Sequence, residues 1–174
     1  MARQPLETVL ASAAACPADV VEWAEREGYA NMRAHVETAA GISAQAGAML
    51  TLLLGGVGGA LAWAVRLAEP GAGPVAWGAG AVCVWWGLVA AYLNAANLQL
   101  VDAPMVSNQP AHLLMPGATL DQLRRGELVN LEERIRQQRD MNVRRAAALN
   151  RARYLALAGP LVFAAGAWAG RCWA

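Results

Sequence analysis

The chain has 174 residues, of which 57% are hydrophobic and 16% charged. With a mean hydropathy of +0.29 it falls among membrane proteins and outside the soluble and disordered classes. All fourteen basic residues are arginine, which with the abundant Ala and Gly suits a GC-rich bacterial or phage gene, while Cys16, Cys83 and Cys172 have no ligand-like spacing and form no even set, against a zinc site or a disulfide framework.

The first thirty residues are too polar and too acidic for a signal peptide, so the N terminus is expected to be retained. Leu6, Val9 and Leu10 predict a short amphipathic helix. Pro17 suits the first turn of a second, in which Val20, Val21, Trp23 and Ala24 oppose Glu22, Glu25, Arg26 and Glu27, and Gly28 reads as its end. From Tyr29 the positions Met32, Val36 and Ala40 keep helical spacing, predicting one long helix from about Tyr29 to Arg66 whose first turns stand in the cytoplasm.

That helix contains Ala46 to Val65, twenty residues without a charge, the length that crosses a bilayer's hydrocarbon core. Gly47, Thr51, Gly55 and Gly59 recur every fourth residue and share one side, with Ala40, Ala44 and Ala48 beside them. In lipid such small-residue stripes let backbones approach closely. Two readings stand: the stripe packs the first span on the second within one chain, or it packs between subunits.

Leu67 to Pro74 carries Pro70, Gly71, Gly73 and Pro74 and predicts a tight hairpin. A second span follows from about Ala76, with Gly80, Gly87 and Ala91 as small surfaces and Trp63 and Trp77 at the interface on either side of the hairpin. Trp85 and Trp86 lie near mid-membrane and read as lipid-facing or packing bulk. Asn94 and Asn97 are placed to hydrogen-bond across helices.

Between Asp102 and Ala118 the residues Pro104, Pro110, Pro116 and Gly117 exclude one continuous helix, and Leu113, Leu114 and Met115 are placed to touch the membrane surface or the N-terminal helices. His35 and His112 are far apart, with no third ligand for a metal. Thr119 and Gln122 form a capping signature. It opens a long helix in which Leu128, Leu131, Ile135, Gln138, Asn142, Arg145 and Leu149 fall at heptad positions. That seam serves either packing on the chain's own N-terminal helices or self-association.

Arg134, Arg136, Arg139, Arg144, Arg145, Arg151 and Arg153 are dense along the same helix. Five interleaved acids, Asp121, Glu127, Glu132, Glu133 and Asp140, argue against nucleic acid. Arginines that gather toward the membrane end suit a topology signal with affinity for anionic headgroups or a partner, and Arg134, Arg139, Arg144, Arg145, Arg151 and Arg153 are the residues expected there. The third span, Tyr154 to Gly170, has seventeen residues and contains Pro160, so a kinked helix is expected whose freed backbone groups its neighbours satisfy. Gly159, Gly166 and Gly170 offer further close approaches.

The reading is thus an all-α membrane protein with three transmembrane helices, at about residues 46–66, 76–97 and 154–170, and long helices extending into the cytoplasm. Cytoplasmic amphipathic helices occupy 1–40, a transmembrane hairpin 41–101, a cytoplasmic loop and Arg-rich helix 102–153, and the third span 154–174. Nine arginines lie between the second and third spans against Arg66 and Arg171 elsewhere near the spans, which places the N terminus in the cytoplasm and the C terminus outside. No ionisable residue lies inside the apolar cores, and no phosphate loop, metalloprotease or serine-hydrolase motif occurs, so neither an enzyme nor a coupled transporter is expected, and no cofactor.

The run AAGISAQAGAMLTLLLGGVGGALA, a small-residue helix feeding the first span, and NLEERIRQQRDMNVRRAAALNRARYLALAG, a charged helix entering the last, resemble the three-span membrane domain of Pycsar-type antiphage effectors. The similarity covers about His35 to Gly170. It implies an oligomer that damages the inner membrane on a cyclic-nucleotide signal. This chain has Gln45 where the family tends to carry a lysine, and none of these 174 residues reads as a nucleotide-binding module, so the trigger is expected through its own cytoplasmic helices or a partner protein.

Overall fold

The computed structural model describes residues 6–66, 73–98, 105–106 and 116–173. All its regular structure is helical. Helix α1 spans Leu6–Ala15, α2 Ala18–Arg66 and α3 Gly73–Leu93, which passes into a π-helical turn over Asn94–Leu98; α4 spans Leu120–Leu157 and α5 Gly159–Trp173. Residues 67–72 of the expected hairpin, and Asp102, Pro104, Pro110, His112, Leu113, Leu114 and Met115 of the expected loop, lie outside the described residues.

Two sequence expectations change. Gly28 does not end a helix: α2 runs through it for 49 residues. Its role is proximity, because a Cβ there would stand 2.6 Å from Leu131 Cδ2, so α4 packs directly on the glycine backbone. Gly73 and Pro74 open α3 and do not belong to the preceding turn, since a proline in the first turn has no intrahelical N–H to lose.

The chain divides into two compact units, Met1–Ala40 with Val101–Val143, and Gly41–Leu100 with Arg144–Ala174. The first carries charged and polar side chains around a small apolar core. Met32, Leu131 and Ile135 form its small core, with Tyr29 and Val106 against it. Val21 turns inward and Trp23 stays 64% exposed, which splits the apolar patch expected of that turn. The capping box forms at the start of α4: Thr119 N–H donates to Gln122 Oε1 at 3.0 Å, and Gln122 N–H donates to Thr119 Oγ1 at 3.3 Å. Gly117 just before it has φ +84°, a left-handed conformation that glycine adopts without strain.

The heptad seam of α4 is used within this unit. Leu131 and Ile135 fill the core, and the polar continuation is buried too: Gln138 Nε2 donates to Asn142 Oδ1 at 3.2 Å, and Asn142 Nδ2 donates to the His35 carbonyl at 2.8 Å. Packing on the chain's own N-terminal helix therefore occupies these positions. Tyr29 donates its hydroxyl to Glu127 at 3.1 Å, and Glu127 also pairs with Arg134. Desolvation, reinforced by the Glu127 carboxylate, raises the Tyr29 pKa above its usual value of 10.0.

Among the described residues two helices, Ala18–Arg66 and Gly73–Leu98, are long and apolar enough to cross a membrane. A third crossing among them requires that α4 and α5, bent by 41° at their break, act as one. Only 6% of the apolar window of α2 is buried against the rest of the chain, against 28% of the second helix. Leu52, Leu54, Leu61 and Val65 accordingly present apolar surface outward.

Candidate functional site

The second unit is organised around two adjacent tryptophans. Ala46, Leu53, Val89, Ala90, Leu93, Leu149 and Ala152 form its core, and Trp85 and Trp86 pack against it. Trp86 lies where two glycines make room: a Cβ on Gly56 would stand 2.5 Å from its ring, and one on Gly159 would stand 2.9 Å from its indole nitrogen. Both tryptophans are more than packing bulk, because each donates its indole N–H to the broken end of α4.

The break has a covalent cause. Pro160 has no N–H to give to the carbonyl four residues back, Ala156, and its ring crowds that carbonyl. Trp86 Nε1 donates to Ala156 O instead, at 3.3 Å. Trp85 Nε1 donates to Leu155 O at 2.8 Å, a carbonyl that also accepts Ala158 N–H at 3.2 Å. An unpaired carbonyl in an apolar medium costs several kcal/mol, so a proline break there needs such donors. The sequence requires that a neighbour satisfy these groups; the two tryptophans are that neighbour.

Further close contacts in this unit also lie at glycines, against aromatic rings, backbone and Ala81. Along α3 and α5, Gly78 backs onto Phe163, Gly166 onto Trp77 O and the Gly78 backbone, and Gly170 onto the Trp77 ring. Trp63 stacks on Phe163 with ring centroids 6.3 Å apart and 13° between planes. Gly159 and Gly166 are therefore in tight helix contacts inside one chain. Gly47, Gly55, Gly59 and Gly87 are not: a Cβ on any of them would meet nothing within 4 Å, and Ala91 is exposed. The stripe on α2 thus does not pack the first span on the second within the chain, as one of the two readings had it. Thr51 turns its hydroxyl back to Gly47 O at 3.1 Å.

Asn97 departs from expectation. It is 3% exposed in the π-helical turn, yet neither atom of its amide has a hydrogen-bond partner, whereas Asn94 is exposed.

The six arginines fall into different surroundings. Arg134 is turned inward against Glu127, with 13% and 7% of the two side chains exposed. Arg139, Arg144 and Arg151 are exposed and Arg145 is half-buried. Arg153 is held by two neutral acceptors, Gln45 Oε1 at 2.7 Å and Asn150 Oδ1 at 3.3 Å. Arg136, outside that set, pairs with Glu132 at 2.8 Å.

Among the described residues no group of three His, Cys, Asp or Glu is placed to hold a metal. The regular structure of the described residues is helical, and two of its helices are long and apolar enough to cross a membrane, which is compatible with a membrane protein. Comparison with protein-family models, curated proteins and solved structures finds no match.

Proposed function

We propose that this chain is an inner-membrane protein of three spans, with its N terminus in the cytoplasm and its C terminus outside, which self-associates and perturbs or permeabilises the membrane as an effector, in keeping with its resemblance to antiphage effectors. The observation that supports the oligomer is the division of its glycines. Gly56, Gly78, Gly159, Gly166 and Gly170 are spent on contacts within the chain, while Gly47, Gly55 and Gly59 leave a small-residue groove open on the most exposed apolar helix. Such a groove suits the backbone of a second copy. The arginine bias supports the orientation.

A second reading is a non-catalytic membrane-anchored subunit or immunity protein. It is favoured by the state of two of the three polar side chains that could line a pore: Thr51 bonds its own helix and Asn97 is buried, which leaves the exposed Asn94. A cytoplasmic protein partner or a nucleotide signal acting on the first unit fits either reading.

Membrane potential after controlled induction separates them, with the native chain and Gly55→Leu compared at matched membrane abundance. Depolarisation by the native chain, lost together with the cross-linked oligomer in Gly55→Leu, supports the effector. An unchanged potential with an intact complex supports the subunit. Loss of neither oligomer nor activity in Gly55→Leu removes the stripe from the mechanism.

A further inference from the structure

A groove of about 630 Å³ opens on the second unit, lined by Gln45, Met49 and Leu52 of α2, by Arg153 and Leu157 of α4, and by Trp86. Its size falls in the roughly 300–1,000 Å³ range of small-molecule sites. Its chemistry is lopsided. Apart from Gln45 and Arg153, which are bonded to each other, its walls are apolar side chains and the Trp86 ring. Along α2 the groove runs from Gln45 toward Leu52, about 10 Å at the helical rise. On α4 it runs from Arg153 toward Leu157, so the polar end and the apolar end coincide on both helices.

Arg153 is positioned but not neutralised. Its partners, Gln45 and Asn150, are uncharged, and no carboxylate among the described residues pairs with it. A guanidinium fork held by neutral groups at the mouth of an apolar trough complements one kind of molecule, an anion carrying a hydrocarbon chain. A second copy of this chain would bring no anion at this depth, because its Ala46–Val65 stretch carries no charge. A free phosphate would use Arg153 and leave the apolar walls unused.

We propose that this groove is a site for a single anionic phospholipid, with the phosphate on Arg153 and the proximal part of one acyl chain along Met49, Leu52, Leu157 and the Trp86 ring. The site rests on the membrane-spanning reading and is independent of the effector reading. The lipid chain would lie against the ring that caps the proline break, so its occupancy is coupled to the geometry of the third span.

Native mass spectrometry tests the site. The full chain, released from neutral-detergent micelles doped equally with phosphatidylglycerol and phosphatidylcholine, is expected to retain one phosphatidylglycerol per chain. Arg153→Gln should lower that retention about tenfold, equivalent to about 1.4 kcal/mol. Ala48→Trp, which fills the groove and leaves Arg153 in place, should lower it as much. Arg33→Gln, which removes an exposed arginine that neither lines the groove nor belongs to the set expected at the membrane surface, should leave it unchanged. Equal retention of both lipids, equal loss in Arg33→Gln, or displacement of the lipid by excess glycerol 3-phosphate would overturn the proposal. Carbonate washing of membranes separates the two levels. Release of the chain overturns the membrane reading and the site together, whereas a chain that stays in the membrane with retention insensitive to Arg153→Gln overturns the site alone.

Discussion

The two units of this chain are held together by different chemistry. In the first, helices are joined by charge and polar side chains: Arg124 reaches Glu22 and Glu25, Arg125 donates to the Cys16 carbonyl at 3.0 Å, and Tyr29 donates to Glu127 beside a core of three side chains. In the second, the joints are glycines pressed on aromatic rings, backbone and Ala81, and among the described residues its interhelical side-chain hydrogen bonds are two indole donors on a proline break and the Arg153–Gln45 pair at its polar end. Water rewards the first strategy and tolerates loose ends. Lipid supplies neither hydrophobic contrast nor hydrogen bonds, so proximity and internal satisfaction have to do both jobs.

The sharpest way to break this contrast is to add one methyl group in two places. At Gly166 a Cβ would stand 2.7 Å from Ala81 Cβ and 3.0 Å from Trp77 O, and a backbone atom cannot swing aside. Gly166→Ala should therefore destabilise the chain by about 1–3 kcal/mol. At Gly58 the same methyl meets nothing within 4 Å, and Gly58→Ala should stabilise α2 by about 0.5–1 kcal/mol. Thermal unfolding of the purified chain in detergent reads both; equal effects would mean that α3 and α5 are not in close contact.

Asn97 sharpens the point from the opposite side. Two unpaired amide atoms at 3% exposure contradict the rule of internal satisfaction. Replacing them by an apolar group of similar size, Asn97→Leu, should raise stability by about 1–3 kcal/mol. A fall in melting temperature instead would show that the amide is used in the membrane-bound protein.

How much of this was legible in the sequence follows the same divide. The capping box at Thr119 and Gln122, the seam through Leu131 and Ile135, and the apolar lengths of the first two expected spans are local patterns, and the structure reproduces them because local spacing determines them. Gly28 was misread, since a glycine that ends a helix and one that admits a neighbour are the same letter, and only the position of Leu131 separates them. The need for donors near Pro160 was readable from proline's missing N–H. That Trp85 and Trp86 supply them was not, because the pairing spans 70 residues. A tryptophan away from the membrane interface, facing a predicted proline break, was the signal available.

Removing those donors is a smaller perturbation. Trp85→Phe keeps most of the ring and deletes the N–H, so it should cost about 0.5–1.5 kcal/mol. Faster amide exchange at Ala158 and Gly159, with α3 unaffected, is the expected local signature. Exchange that spreads evenly through α3 would instead assign Trp85 a packing role.

The smallest effect is the one that charged joints alone should show. Arg26, by hydrogen bond and charge, with Arg124 beside it, lowers the Glu22 pKa below 4.5, and Arg125 lowers that of Asp121 below 3.8. A carboxylate whose pKa is depressed on folding adds stability that is fully present above its unfolded value and is lost as pH falls through the folded one. Taking the protein from pH 7 to pH 3 should therefore loosen the first unit, and since both side chains lie at the surface the change should be modest and blunted by salt. The described residues of the second unit contain no Asp or Glu, so its amide protection should stay flat over the same range. Hydrogen exchange that reports Val21 to Met32 separately from Gly78 to Leu93 reads the two at once. Parallel loss in both segments would mean that acid acts through the whole chain, and the division of labour between charged joints and close-packed ones would fail.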